Sequence, residues 1–173
     1  MELKEKILRK LESSRGEYVS GEQLAEGFGV SRNAVWKCIK QLEKEGFAIS
    51  SVKNRGYALL EESDALSASG IEKFLHGERP VKVVKNTGST NDEAKALAAL
   101  GARDGTIVVA ESQSEGRGRY RRPFYSPEGA GLYMSILLRP KIPASETLFI
   151  TTCAAVAVCE AIEEVSGKYA EIK

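Results

Sequence analysis

Residues 20–42 read SGEQLAEGFGVSRNAVWKCIKQL, and two helix starts inside this stretch set the fold of the first sixty residues. Ser20 precedes an apolar-periodic segment and Gln23 follows three residues later, the spacing of a capping box. Leu24, Ala25 and Phe28 form the inner face of that helix, Gly29 ends it, and Val30 fills the turn. Ser31 caps a longer helix that ends at Gly46, with Val35, Cys38, Ile39 and Leu42 directed inward by their 3.6-residue spacing. Its other face carries Arg32, Asn33, Trp36, Lys37 and Lys40. Those are phosphate-seeking cations and an amide able to read a base edge. Two short helices joined by a tight glycine turn make a helix-turn-helix.

Working outward, Leu3, Ile7, Leu8 and Leu11 recur at helical spacing and give a helix ahead of the motif. Behind it, FAISSV and YALL flank Lys53-Asn54-Arg55-Gly56, a hairpin whose tip carries the cations Lys53 and Arg55. Helices plus hairpin make a winged helix. Such a module also serves as a protein contact, but a basic helix face together with a basic hairpin tip favours DNA. Trp36 suits either stacking on sugar-phosphate or packing against a neighbouring domain.

Glu61-Glu62-Ser63-Asp64 is a polar, acidic break. It divides the chain into a winged-helix DNA-binding domain, 1–62, and a second domain, 63–173. The charge divides with it. Residues 1–60 hold 11 Lys+Arg against 8 Asp+Glu, and residues 61–173 hold 14 against 16. A basic first part points towards nucleic acid.

In the second domain Ser67 caps a short helix, VKVVKNT (81–87) alternates as a strand, and Ser89-Thr90-Asn91 opens an alanine-rich helix closed by Gly101. Thr90 and Glu93 fit a capping box there. Hydroxyls and an amide at a strand-to-helix junction serve either as caps or as partners for a small polar ligand. TIVVAE (106–111) and GLYMSILLRP (131–140) read as strands. Between them lies SQSEGRGRYRRPFYS, with Arg117, Arg119, Arg121 and Arg122 falling within six residues and Gly116 and Gly118 interleaved. Guanidinium forks suit phosphate or carboxylate, so this reads as a mobile cationic cover over an anionic ligand, or else as a solvated basic loop. GRGR is not followed by GK[ST] and opens no helix, which excludes a P-loop. An apolar helix starting at Ser145 is expected to pack under a sheet, and KYAEIK (168–173) to close as a strand.

A charged start, MELKEKILRK, is not a secretory signal, and the longest apolar stretch, 148–159, is too short to span a bilayer. Cys38, Cys153 and Cys159 are an odd, scattered set, expected to be reduced core thiols of a cytoplasmic protein. With one histidine, His76, neither a zinc site nor a Ser-His-Asp triad has its parts, and no metal ligands are assigned.

Ser89-Thr90-Asn91, Glu111-Ser112-Gln113, GRGRYRRPFYSP and Gly131-Leu132-Tyr133-Met134-Ser135, in this order and spacing, closely resemble biotin protein ligase. The N-terminal residues 20–42 resemble the branch that is both biotin ligase and biotin operon repressor. The resemblance implies an α+β chain: a winged helix-turn-helix followed by part of a mixed α/β domain like that of class II aminoacyl-tRNA synthetases. It implies biotin and Mg²⁺-ATP as substrates, biotinyl-5′-AMP and pyrophosphate as first products, and transfer of biotin to a lysine of biotin carboxyl carrier protein. The adenylate-bound protein is expected to dimerise on operator DNA and repress biotin genes. Ser89, Thr90, Asn91 and Gln113 are expected around biotin's ureido ring. Gly116, Arg117, Gly118, Arg119 and Arg122 are expected at biotin or its adenylate. Arg119 and Lys173, the latter in the position of the family's catalytic lysine, are expected to act in catalysis. Arg121 replaces a glycine usual in the motif. The family continues beyond this lysine with segments absent here, so the chain is expected to be C-terminally truncated and inactive as a ligase by itself. The alternatives are a DNA-binding regulator whose second part senses biotin without ligating it, and an inert fragment.

Overall fold

A computed structural model describes residues 1–173 except 119, 121 and 173. Its contacts divide the chain into two compact units, Met1–Leu138 and Arg139–Lys173.

The first unit begins with three helices, α1 (Leu3–Ser13), α2 (Gly21–Phe28) and α3 (Arg32–Lys44), and an antiparallel hairpin, β1 (Ile49–Val52) and β2 (Gly56–Leu59). The expected caps are present. Ser20 and Gln23 form a reciprocal capping box on α2, and the Ser31 hydroxyl accepts from the Ala34 N–H. Ile7, Leu11, Leu24, Val35, Ile39, Leu42 and Leu59 are fully buried together, with Cys38 packed against them. Burial pushes the Cys38 thiol pKa up, with the Lys4 charge acting the other way, so it behaves as an inert apolar group. Cys153, by contrast, is exposed, which corrects its expected place in a core; all three cysteines are free.

The hairpin is fastened to the helices by a bridge that has no local signal in the sequence. Val19 and Tyr57 exchange both backbone hydrogen bonds at 2.9 Å. Gly56, at φ 109°, lies so close to Val19 that a side chain would collide with that backbone.

The acidic break is not loose. Ser63 is buried and its hydroxyl accepts from Ala48 N–H at 3.1 Å. Beyond it, Ser67 caps α4 (Ala68–Glu72). The buried carboxylate of Glu12 joins α1 to this segment. It accepts from Arg15, from the Ser67 hydroxyl at 2.9 Å and from Lys73 at 3.3 Å. Three donors offset the desolvation of one carboxylate.

A three-stranded mixed sheet follows, in the order β3 (Val81–Thr87), β4 (Ile107–Gln113), β5 (Tyr133–Ile136). β4 is parallel to β3 and antiparallel to β5, and α5 (Thr90–Ala99) connects β3 to β4. β4 is central, which is why Ile107–Ala110 read as a continuous apolar run and are all buried. β5 is shorter than the expected 131–140.

At α5 the expected Thr90–Glu93 capping box does not form. Ser89, extended at φ −159°, is the cap and accepts from Asn91 N–H. Thr90 is buried and turns to Gln113, while Glu93 is drawn to Lys82 at 2.7 Å.

The second unit holds a 3₁₀ turn (Ala144–Glu146) and α6 (Thr147–Ser166), closed by Gly167 in the left-handed region. None of the α6 residues is buried. Its apolar residues run round the whole circumference, so burial needs cover on several sides that this unit does not contain. The expected strand at 168–173 is also absent among the described residues. Cys159 Sγ donates to Ala170 O and Ala170 N donates to Glu163, so this backbone is tied to α6 and not to a ladder.

Candidate functional site

Two concavities gather the singled-out residues. The first lies between α3 and the hairpin. Arg32, Trp36 and Lys40 from α3, with Lys53, Asn54 and Arg55 from the tip, line a cleft of about 620 Å³. Asn33 and Lys37 are on the same helix but do not line it. Trp36 is half exposed, as a stacking surface needs to be. Arg55 sits 4.4 Å from the Tyr18 ring centroid, a cation–π contact that holds the hairpin tip. Lys40 is engaged by Glu43 at 2.6 Å, which leaves Arg32 and Lys53 as the less encumbered cations of the cleft. Sequence reading missed Ser20, Gly21 and Glu22 at the start of α2, which complete the wall. Packing of α2 on α3 and the Val19–Tyr57 pairing bring them there.

The second concavity, about 300 Å³, opens where β3 hands over to α5. It is lined by Ser89, Thr90, Asn91, Gln113 and Arg117, with Tyr133 and Ser135 from β5. The parallel pairing continues past the strands, as Ser114 N donates to Thr87 O and Glu115 N to Gly88 O. That extension brings the start of the arginine segment beside the strand-to-helix junction. Gln113 links the two: its Oε1 accepts from Thr90 N at 2.8 Å and from Thr90 Oγ1 at 3.2 Å, and its Nε2 donates to Ser126 Oγ at 3.2 Å. A residue that sequence reading placed only as a ligand partner is thus also the pin of the local structure.

On either side of residues 119–121 the described residues of the arginine segment are paired. Its two arms pair: Gln113 N donates to Ser126 O, Phe124 N to Gly116 O and Gly118 N to Arg122 O. Gly116 packs against Phe124 O and Ser126 Oγ at distances no Cβ tolerates, so the arms close only with glycine there. Arg117 turns to the first turn of α5, 2.7 Å from an Asp92 carboxylate oxygen. This pair is half exposed and therefore weak. Its guanidinium already holds a carboxylate at the mouth of the concavity, which shows the chemistry that can be exchanged there. Arg122 is exposed. Arg119, Arg121 and Lys173 lie outside the described residues. No group of three or more His, Cys, Asp or Glu among the described residues could hold a metal, and no helix among them is long and apolar enough to cross a membrane.

Comparison with known proteins places both regions. Residues 4–58 match an HTH domain, and residues 83–173 match the biotin/lipoate A/B protein ligase family. The bifunctional ligase/repressor BirA of Bacillus subtilis is 38% identical, over 99% of this chain and 54% of its own length. The BirA of Escherichia coli is 32% identical, over 92% of this chain and 49% of its own. A solved biotin protein ligase from Aquifex aeolicus in complex with biotin and ATP is 34% identical over 52% of this chain and 37% of that one, at a TM-score of 0.45. The chain spans about half the length of the curated relatives it matches. With a family match that runs from within β3, at residue 83, to residue 173, the chain belongs to the biotin/lipoate A/B protein ligase family.

Proposed function

We propose that this chain carries the biotin site of a bifunctional ligase and repressor. Biotin is activated by ATP to biotinyl-5′-AMP and passed to a lysine of a biotin carboxyl carrier protein, and the winged helix binds operator DNA as a homodimer when the adenylate is held. The observation that carries this reading is the concavity at residues 89–91. Buried hydroxyls and an amide converge in it, and a paired, glycine-dependent arginine segment stands at its mouth.

A cyclic urea offers one carbonyl acceptor and two N–H donors, and Ser89, Thr90, Asn91 and Gln113 supply the complementary groups. Its carboxylate tail needs a cation, and Arg117 releases one by exchanging Asp92 for the ligand. In the first step a biotin carboxylate oxygen bonds to the α-phosphorus of ATP, and the bond from that phosphorus to the bridging oxygen breaks as pyrophosphate leaves. Anions are brought together, so fixed cations lower the barrier. In the second step a carrier lysine amine attacks the acyl carbon, AMP leaves with the bonding electrons, and the amine loses a proton. The roles of Arg119 and Lys173 rest on the family resemblance alone, with Gly118 and Arg122 as motif partners. Mg²⁺ enters this reading as the counter-ion of ATP.

In this reading residues 1–62 act on DNA and residues 63–173 on biotin. Labelled biotin titrated into the protein with and without Mg-ATP tests it. Adenylate formation supports the ligase. Biotin retained without adenylate supports the alternative, a biotin-sensing regulator. No retention of biotin at all supports the third reading, that residues 1–173 alone are an inert fragment.

A further inference from the structure

We propose that Ser126 is a positioning residue that aims the Gln113 amide into the concavity; this rests on the biotin-site reading and deepens it. Ser126 is 3% exposed and does not itself line the cavity. It acts through hydrogen-bond directions that are forced from both ends.

Thr90 N can only donate, so the Gln113 atom facing it at 2.8 Å is the carbonyl oxygen. Thr90 Oγ1 also lies within donating reach of that same oxygen, at 3.2 Å. Thr90 and Ser135 share a further hydroxyl contact at 2.9 Å, in which either can donate. At the other end Phe124 O can only accept. The Ser126 hydroxyl hydrogen is committed to it at 3.1 Å, and Ser126 Oγ accepts from Gln113 Nε2 at 3.2 Å.

The result is one oriented chain. Thr90 N donates to Gln113, Gln113 donates to Ser126 and Ser126 to the Phe124 carbonyl. A flipped amide would set its NH₂ against the Thr90 N–H, donor against donor. One Nε2 hydrogen of Gln113 stays available to a ligand. Because Phe124 and Gly116 belong to the arginine segment, the same hydroxyl ties the paired arms to the direction in which Gln113 points.

Removal of the Ser126 hydroxyl frees the amide to rotate while Thr90 still attracts its oxygen. In the 173-residue chain without ligand, the Gln113 side-chain amide hydrogens should show a nuclear Overhauser contact to Ser126 Hβ, and Ser126→Ala should weaken the contact to residue 126 and move the two amide signals toward those of a freely solvated glutamine. Biotin affinity of Ser126→Ala should fall by about five- to tenfold, the scale of one neutral hydrogen bond. Ser126→Thr, which keeps the hydroxyl, should restore the signals and most of the affinity. In a Gln113→Ala background, Ser126→Ala should cost nothing further, whereas a merely structural role would lower affinity in both backgrounds. The proposal is overturned by absence of the amide contact in the parent, by unchanged affinity in Ser126→Ala, or by equal losses in the two backgrounds. If the parent does not bind biotin, the site reading fails instead, and the ligand-free amide signals still decide whether Ser126 orients Gln113.

Discussion

In the winged helix, Ile7, Leu11, Val35, Ile39, Leu42 and Leu59 are wholly inaccessible to solvent and come from three different elements. In the three-stranded sheet, burial is concentrated in β4, while Met134 and Ile136 of β5 remain 43% and 48% exposed. The two regions accordingly hold their candidate residues by different means. The cations of the first cleft ride on a helix and a hairpin fixed by apolar packing and a backbone bridge. The residues of the second concavity are fixed by polar bonds: Gln113 to Thr90 and Ser126 to Gln113. Apolar packing tolerates exchange of its outward-facing residues. A polar network does not, because each member sets the direction of the next.

The sharpest way to break this comparison is to cut a cavity in each region. Ile39→Ala should lower unfolding free energy by about 2–5 kcal/mol. Ile136→Ala, half exposed already, should lower it by no more than about 1 kcal/mol. Denaturant titration of both variants gives the two values, and equal losses would show that β5 is as firmly packed as the winged helix.

Next in size is the effect of single charges in the cleft. Arg32→Ala should reduce the slope of log affinity for operator DNA against log salt by about 0.9, one released counterion. Lys40→Ala should reduce it less, because Glu43 already engages that ammonium. A mobility-shift series over salt in which both variants reproduce the parent would remove α3 from the DNA interface.

The smallest effect is expected at Glu93, where the hydrogen bond and charge of Lys82 hold the carboxyl below its ordinary value of 4.5. A depressed folded-state pKa stabilises the fold above the unfolded value, and that contribution is lost as pH falls through the folded value. Relative to Glu93→Gln, the parent should thus keep a constant small advantage at neutral pH that disappears on acidification below about 4.5. The pair is largely solvent-screened, so the difference is modest. An advantage that grew on acidification would reverse the assignment.

Legibility followed the range of the interactions. Caps, turns and 3.6-residue spacing act over a few neighbours, and the winged helix is built mostly from them; Ser20, Ser31, Ile39 and the hairpin tip all stand where their spacing places them. The concavity was legible as a set of residue types but not as a network. Nothing near Gln113 in the sequence marks Ser126 as its partner, and nothing near Glu12 marks Ser67 and Lys73. The Thr90–Glu93 box was misread because its spacing is right, while Lys82 and Gln113, distant along the chain, compete for both residues.

By itself the sequence determined the order of elements, the winged helix and its basic face, the strand-to-helix junction at 89–91 and the arginine-glycine segment. These depend on periodicity, capping and turn chemistry, which are written in consecutive residues. Tertiary structure alone decided that Val19 fastens the hairpin, that Glu12 is buried and triply bonded, that the arginine segment pairs its own arms, and that the Gln113 amide has one allowed orientation. Each of these depends on which donor meets which acceptor across the fold. A hydroxyl or an amide can bond in several directions, and only the neighbours that packing brings to it select one.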